Sequence, residues 1–585
     1  MRNIISSSFV LLLLLSFGCN SSPTNDSSNA DQSFASFENT FLDAYWKQYP
    51  SGSIYNGYGK YYDKLVIPDS AAFAGNVSFS NNWMDSLKKI DYTQLNENNK
   101  ISFNIINNQL ESDIWYTSVF KVQEWDASTY NISGLCDYII NQPYASLDER
   151  LKILSRFLQH TDEYYKAGLH NLNKPTKEHI ELAIIQNKGG LDVFGAALAD
   201  SIKSSHLSNE ERSALQQNID KTVNAMNGFI DSLKAIVANK NYVFRDFRIG
   251  KKLFAEKFKF DLATDLTPEQ TYEKAIEASK FYRQKMFVAA DTVWSKYYPN
   301  QTKPKDSSQL IQLVLNKIQL QHATPAGFFN SVDSQVTAIK KFILEKNLFD
   351  FDTNAAPIKV RYMPVYARGV TTASAEFIPP YQKQGTTYYN IDDLTLYPPE
   401  KAESALREDN YYGSQILTMH EAVPGHCMQG IYNNKKSSDV LRSVFQNGAM
   451  IEGWAVYVES MMVDNGWGNH SPEIELALGT AMLRVTANVI IDYEIQCLNK
   501  SEKEIVDFLN KECFQTMAQV QEKYHRATVS QVQLCSYFTG STAIETLRDE
   551  YKKKMGDKYS LKDFHEKFLS FGSSPVKYIR ERMLQ

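Results

Sequence analysis

Residues 418–429 read TMHEAVPGHCMQ. His420 and Glu421 open the stretch like the pair that begins a zinc-hydrolase helix. In that arrangement a second histidine, four residues on, binds the same ion from the same face, and the glutamate acts as base. Here position 424 is Pro424, Gly425 follows, and the next histidine is His426. On a regular helix, at about 100° per residue, His426 points roughly 120° away from His420. Proline removes a helical hydrogen bond and clashes with the preceding turn, and glycine tolerates the dihedrals that follow. The helix is therefore expected to break between the two histidines and to swing His426 back toward His420. Cys427 is a rival ligand, seven residues after His420 and on the same face of an unbroken helix, since a thiolate also binds zinc. Two histidines packed around a kink, with no metal, are the plain alternative.

A third ligand is expected downstream, in MIEGWAVYVESMM (450–462). Glu452 and Glu459 fall on one helical face among apolar residues, where an unpartnered carboxylate is costly. Glu452 is the better ligand candidate, because Gly453 beside it leaves room for another helix to approach. Glu459 suits the role of orienting a ligand histidine. Both could instead be exposed residues of an amphipathic helix.

Upstream, residues 358–394 read IKVRYMPVYARGVTTASAEFIPPYQKQGTTYYNIDDL. The stretch is rich in β-branched and aromatic residues, with Pro and Gly as punctuation, and predicts short strands and loops. Strands beside a catalytic helix suggest a sheet edge that holds an extended peptide through its backbone. Elsewhere the periodicity is helical. In SLDERLKILSRFL (146–158), Ser146 and Glu149 form a capping-box pattern, with Leu147, Leu151, Leu154 and Leu158 on one face. TPEQTYEKAIEASKFYRQKMFVAADTVW (267–294) repeats the pattern with Thr267, Pro268 and Gln270. The fold class read from these patterns is mainly α with a small β-sheet next to the metal-binding helix.

The leader MRNIISSSFVLLLLLSFGC (1–19) has a basic start and an apolar run too short to span a bilayer, and it reads as a secretory signal. Cys19 after a small residue is similar to a bacterial lipoprotein box and is the expected lipidation site. The location expected is the bacterial cell envelope, with the membrane reached only through the lipid. Residues 20–33 are polar and read as a flexible tether. The remainder is divided into an N-terminal helical part (34–350) and a catalytic part (351–585). No later apolar run is expected to cross a membrane. The net charge of −5 and the lack of a basic patch exclude a nucleic-acid partner. The five cysteines after Cys19 are too scattered for a disulfide framework.

HEAVPGH (420–426), EGWAVYVE (452–459) and SYFTG (536–540) together resemble a widespread bacterial family of secreted helical proteins, known as domain of unknown function 885 and placed with the gluzincin-like metallopeptidases. YARGVTTASAEFIPP (366–380) and GTTYYNI (385–391) look like that family's substrate-side segments. The resemblance implies a large helical, zincin-like body with a deep channel, and one Zn2+ ion held by His420, His426 and Glu452. It also places Tyr537 near the metal, where its phenol can stabilise an oxyanion. In two places the family often has histidine where this chain has Cys427 and Gln496, and it often has proline near Gln531. The implied activity is hydrolysis of peptides by a metal-activated water, with Glu421 as general base. Tyr389, Arg368, Arg484, Arg526 and Arg548 are further candidates for substrate contact, the arginines through bidentate bonds to a peptide carboxylate. The competing reading is a non-catalytic surface lipoprotein that binds a peptide or glycan and retains the metal site.

Overall fold

The computed structural model describes residues 29–350, 358–364, 373–382, 385–436 and 439–585. Cys19 and Arg368 lie outside them. The described chain is mainly helical, with one small three-stranded sheet.

Local sequence sets the helix boundaries. Thr267 and Gln270 make a complete capping box at the start of Pro268–Tyr297. Ser146 caps Leu147–Phe157 by accepting from the Glu149 N–H, while the Glu149 carboxylate reaches Arg156 instead of completing the box. Among the described residues the first helix is Asn29–Gln48, which overlaps the stretch read from composition as tether at residues 29–33. The reason is a tertiary contact. Asp31 is buried and accepts bonds from the Asn96 N–H and the Asn99 amide, which pins residues 29–33 to a later helix.

The sheet has the order β1–β3–β2, formed by Ile358–Tyr362, Thr387–Ile391 and Ala373–Glu376. β3 is central, parallel to β1 and antiparallel to β2, with Tyr389 opposite both Val360 and Ala375. Cys427 lies against this sheet, its Sγ 3.6 Å from the Tyr388 carbonyl.

One apolar cluster joins residues from both sides of position 350, including Phe254, Phe328 and Ile339 from before it and Met419, Trp454 and Phe568 from after it. The helix Pro472–Leu498 runs through the interior. It is long and apolar enough to cross a membrane, which corrects the expectation that no run after the leader is, but 72% of its most apolar window is buried by the protein itself.

Candidate metal centre

The centre is built where two helices are forced close. The first histidine helix, Gly413–Glu421, ends after Glu421; residues 422–425 are non-helical, and a second helix, His426–Lys436, starts at the next histidine. The Val423–Pro424 peptide is cis. The Trp454 indole N–H donates to the Pro424 carbonyl at 2.9 Å and holds the break from the glutamate helix, Gly448–Asp464. Gly425 has no room for a side chain, since a Cβ there would lie 1.8 Å from the His420 carbonyl oxygen. The break turns the second imidazole back, and the two rings stand 4.8 Å apart, nearly perpendicular at 87°.

The glutamate helix supplies both carboxylates from one face. Glu452 Oε2 lies 3.7 Å from His420 Nε2 and 3.4 Å from His426 Nε2. Glu459 Oε1 lies 2.7 Å from His420 Nδ1. Ligand atoms of His420, Glu421 and His426 all lie within 4.8 Å of one another. On a neighbouring helix, Ser536–Met555, Gly540 packs on Gly453. A Cβ on Gly453 would lie 2.3 Å from the Gly540 carbonyl carbon.

The two glutamates titrate in opposite directions. Burial raises the Glu459 carboxyl, outweighing the lowering effect of His420. Burial also opposes ionisation of Glu452, but the two nearby imidazoles, His420 at 3.7 Å and His426 at 3.4 Å, prevail and hold it well below the usual carboxylate range. For His420, burial disfavours the charged ring, yet Glu452 and Glu459 outweigh it and raise the imidazole well above its ordinary value.

The donor set fits a zinc-like cation. A charged hydrogen bond spans about 2.7–2.9 Å, shorter than either Glu452–imidazole separation. Ligands sharing a tetrahedral ion with bonds of about 2.0–2.1 Å sit roughly 3.3–3.5 Å apart, close to the spacings found. With Nδ1 of His420 donating to Glu459, its Nε2 is directed at Glu452, so a cation that displaced the Nε2 proton would meet an imidazole lone pair and a carboxylate oxygen together. The buried Nδ1 of His426 has no hydrogen-bond partner.

The centre opens into a cleft of about 540 Å3. Ile416, Leu417, His420 and Glu421 line one wall, at the spacing of a single helical face. Ala477, Ala481, Arg484 and Asn488 of Pro472–Leu498 form its floor. Lys523 and Arg526 of Met517–Val529, with Tyr537, line it as well. A second cleft, also about 540 Å3, lies beside Phe377–Pro380 and contains none of the centre's ionisable groups.

The residues singled out in the sequence are distributed as follows. His420, Glu421, His426, Glu452 and Glu459 come together. Tyr537, Arg484 and Arg526 line the same cleft as His420, Glu421 and Glu459, a lining that does not include His426 or Glu452. Tyr389 is buried on β3, outside the cleft lining. Arg548 packs over the Tyr457 ring and pairs with Asp549, away from the cleft. Cys427 points its thiol at the sheet rather than at the histidines. Gln496 is a structural link, accepting from the Ile249 N–H and donating to the Ala527 carbonyl, and Gln531 donates to the Thr528 carbonyl. Among the described residues, no strand residue lines the cleft that contains His420. Trp454 and Lys523 were not singled out. Trp454 stands inside a recognisable motif, whereas nothing around Lys523 in the sequence marks it.

The family model for bacterial proteins of unknown function DUF885 matches residues 50–583. A solved structure from Shewanella oneidensis, described as a "putative lipoprotein of unknown function", is 38% identical with a TM-score of 0.86, covering 94% of this chain and 100% of its own. A second, described as a "putative lipoprotein" from Colwellia psychrerythraea, shares the fold at 16% identity and a TM-score of 0.76, covering 95% of this chain and 98% of its own. No curated protein matches the sequence.

Proposed function

We propose that this chain, which belongs to the bacterial protein family of unknown function DUF885, is a zinc-dependent peptidase of the gluzincin-like kind, anchored in the cell envelope. The observation that carries the reading is the convergence of His420 Nε2, His426 Nε2 and Glu452 Oε2, at 3.4–3.7 Å from the carboxylate, with Glu421 alongside and a cleft in front. His420, His426 and Glu452 would hold the ion. When bound, it would supply Lewis-acid polarisation of the scissile carbonyl and an acidified water at neutral pH.

The chain's own groups perform the proton work. Glu421 accepts a proton as the water oxygen bonds to the carbonyl carbon, then passes that proton to the departing amine nitrogen as the C–N bond breaks. Glu459 accepts from His420 Nδ1 and fixes the ring so that Nε2 faces the centre. Arg526 Nη2 donates to Tyr537 Oη at 3.2 Å. The phenol's own proton is then free to donate to the oxyanion that develops on the substrate. The leader residues 1–19 fit lipidation at Cys19, in line with the relatives described as lipoproteins.

The test is metal content and turnover of the purified protein against a mixed peptide library, with Glu421→Gln alongside. The variant keeps the shape of Glu421 but cannot take a proton. Turnover is expected to fall by about a hundredfold or more with metal content unchanged. Undiminished turnover in the variant removes Glu421 from the mechanism. Bound metal with no hydrolysis of any peptide favours the binding-protein alternative.

A further inference from the structure

The cleft that Glu421 lines also carries a group of cations. Lys523 and Arg526 lie one turn apart on Met517–Val529, and Arg484 reaches the same space from the floor helix. Only Arg484 has a carboxylate partner, Glu408 Oε1 at 3.1 Å. Lys523 Nζ donates to Asn488 Oδ1 at 2.7 Å and to the Arg484 carbonyl at 3.3 Å. Arg526 donates to Gln533 Oε1 at 2.8 Å and to Tyr537. The hydrogen-bond acceptors of Lys523 and Arg526 are therefore neutral.

Gathering these cations is costly in the protein alone. Burial, and then the guanidiniums of Arg484 and Arg526, push the Lys523 ammonium down to about 7. Among the other acids lining the cleft, Glu421 and Glu459 stand at the histidine end. Burial pushes the Asp409 carboxyl up to about 7, which weakens it as a counter-charge near neutrality. With Lys523 itself only partly protonated near neutrality, the uncompensated positive charge rests chiefly on Arg526, and a bound carboxylate would favour the charged form of Lys523. A carboxylate, which accepts from a guanidinium fork and an ammonium together, has the complementary chemistry.

We propose that Lys523, Arg526 and Arg484 form a carboxylate-binding wall, so that the substrate is a short peptide whose carboxylate, on the leaving-group side of the scissile bond, is held in the cleft that Glu421 lines. The assignment to the leaving-group side rests on the peptidase reading; the carboxylate-binding wall itself does not. A cleft of about 540 Å3 has the size of a small-ligand site, so it suits a few residues at a chain end. The carboxylate is either the terminal one or an acidic side chain near it.

The experiment is calorimetric binding to the metal-free, full-length protein. Its probes are acetyl-tetraalanine, the same peptide as its C-terminal amide, and an amide whose last residue is glutamate. The free acid is expected to bind about tenfold or more tightly than the neutral amide, as loss of a charged hydrogen bond implies. A glutamate amide that matches the free acid means that the wall takes any carboxylate. One that matches the neutral amide means that it takes the terminal one. Lys523→Gln combined with Arg526→Gln should abolish the preference, and Lys523→Arg should keep it. Lys523→Gln alone, which leaves the arginines in place, should weaken it and guards against a double variant that fails to fold. Equal binding of acid and neutral amide, binding of neither, or a preference that survives removal of Lys523 and Arg526 would overturn the proposal.

Turnover separates the two ideas. If the zinc-loaded protein cleaves acid and amide equally well, the wall is disproved and the peptidase reading stands. If binding selects carboxylates but no peptide is ever cleaved, the wall stands and the peptidase reading fails.

Discussion

His420 meets a different carboxylate at each ring nitrogen. Glu459, buried, takes the Nδ1 side at 2.7 Å, and Glu452 faces Nε2 at 3.7 Å. The short contact has the geometry of a hydrogen bond that orients a ligand, and the long one that of two ligands around a shared ion. Removing a ligand and removing an orienting group should therefore differ in degree. His420→Ala, His426→Ala and Glu452→Ala are each expected to abolish stoichiometric zinc binding by the purified protein. Glu459→Gln should retain zinc with an affinity lowered about 10- to 100-fold, and Cys427→Ser should bind normally, because its thiol lies against the Tyr388 carbonyl. Competition with a chelator of known affinity ranks all five. If Cys427→Ser lost the ion while His426→Ala kept it, the ligand assignment would be wrong.

Between elements, the centre depends on two places where backbone meets backbone. At Gly425 a Cβ would lie 1.8 Å from the His420 carbonyl oxygen and 2.4 Å from that of Met419. Neither oxygen is the end of a flexible side chain, so the turn itself has to move. Gly425→Ala, alone or with Pro424→Ala to favour regular helix, is expected to lower zinc affinity by about tenfold or more, with helical circular dichroism retained. Full affinity in a folded variant would make the break incidental to the metal pair. At the crossing of Gly448–Asp464 with Ser536–Met555, a Cβ on Gly453 would lie 2.4 Å from Gly540 Cα. Gly453→Ala should cost about 1–3 kcal/mol as an overpacked contact, read as a lower denaturation midpoint. It should also disturb turnover, because Glu452 and Tyr537 sit on the two helices being pushed apart.

For the molecule as a whole, His565 ties the back of the glutamate helix to the C-terminal region. It is buried, stacks on Phe349, accepts from the Tyr457 hydroxyl at 2.8 Å through Nε2, and donates from Nδ1 to the Leu348 carbonyl at 3.1 Å. Burial lowers its imidazole from 6.5 to about 3. Above the unfolded value neither state binds the proton, so the contribution of neutral His565 is fully present. As the pH falls from there toward about 3, the unfolded chain takes up a proton that the folded protein refuses. Stability is then lost at about 1.4 kcal/mol per pH unit from this group. His565→Gln should start less stable but fall less steeply on acidification, in denaturation midpoints measured from pH 7 to pH 4. Parallel slopes would remove His565 from the acid response.

The sequence by itself determined the local parts. Thr267 and Gln270 place a helix start because a capping box satisfies orphan N–H groups within four residues. The β-branched and aromatic run after residue 357 gives strands because its side chains suit a pleated surface. Pro424 and Gly425 announce the helix break for reasons internal to the backbone. Tertiary structure alone decided how far each signal carried. Asp31 extends the first helix into a polar stretch through contacts with Asn96 and Asn99, far along the chain. Cys427, at a spacing that suits a ligand on a regular helix, turns to the sheet because the helix restarts at His426. The long apolar helix Pro472–Leu498 is a core element because other helices cover it, which hydropathy does not record. The cationic wall belongs to the same class. Arg484, Lys523 and Arg526 sit on two helices, and only the packing of those helices brings the three into one cleft.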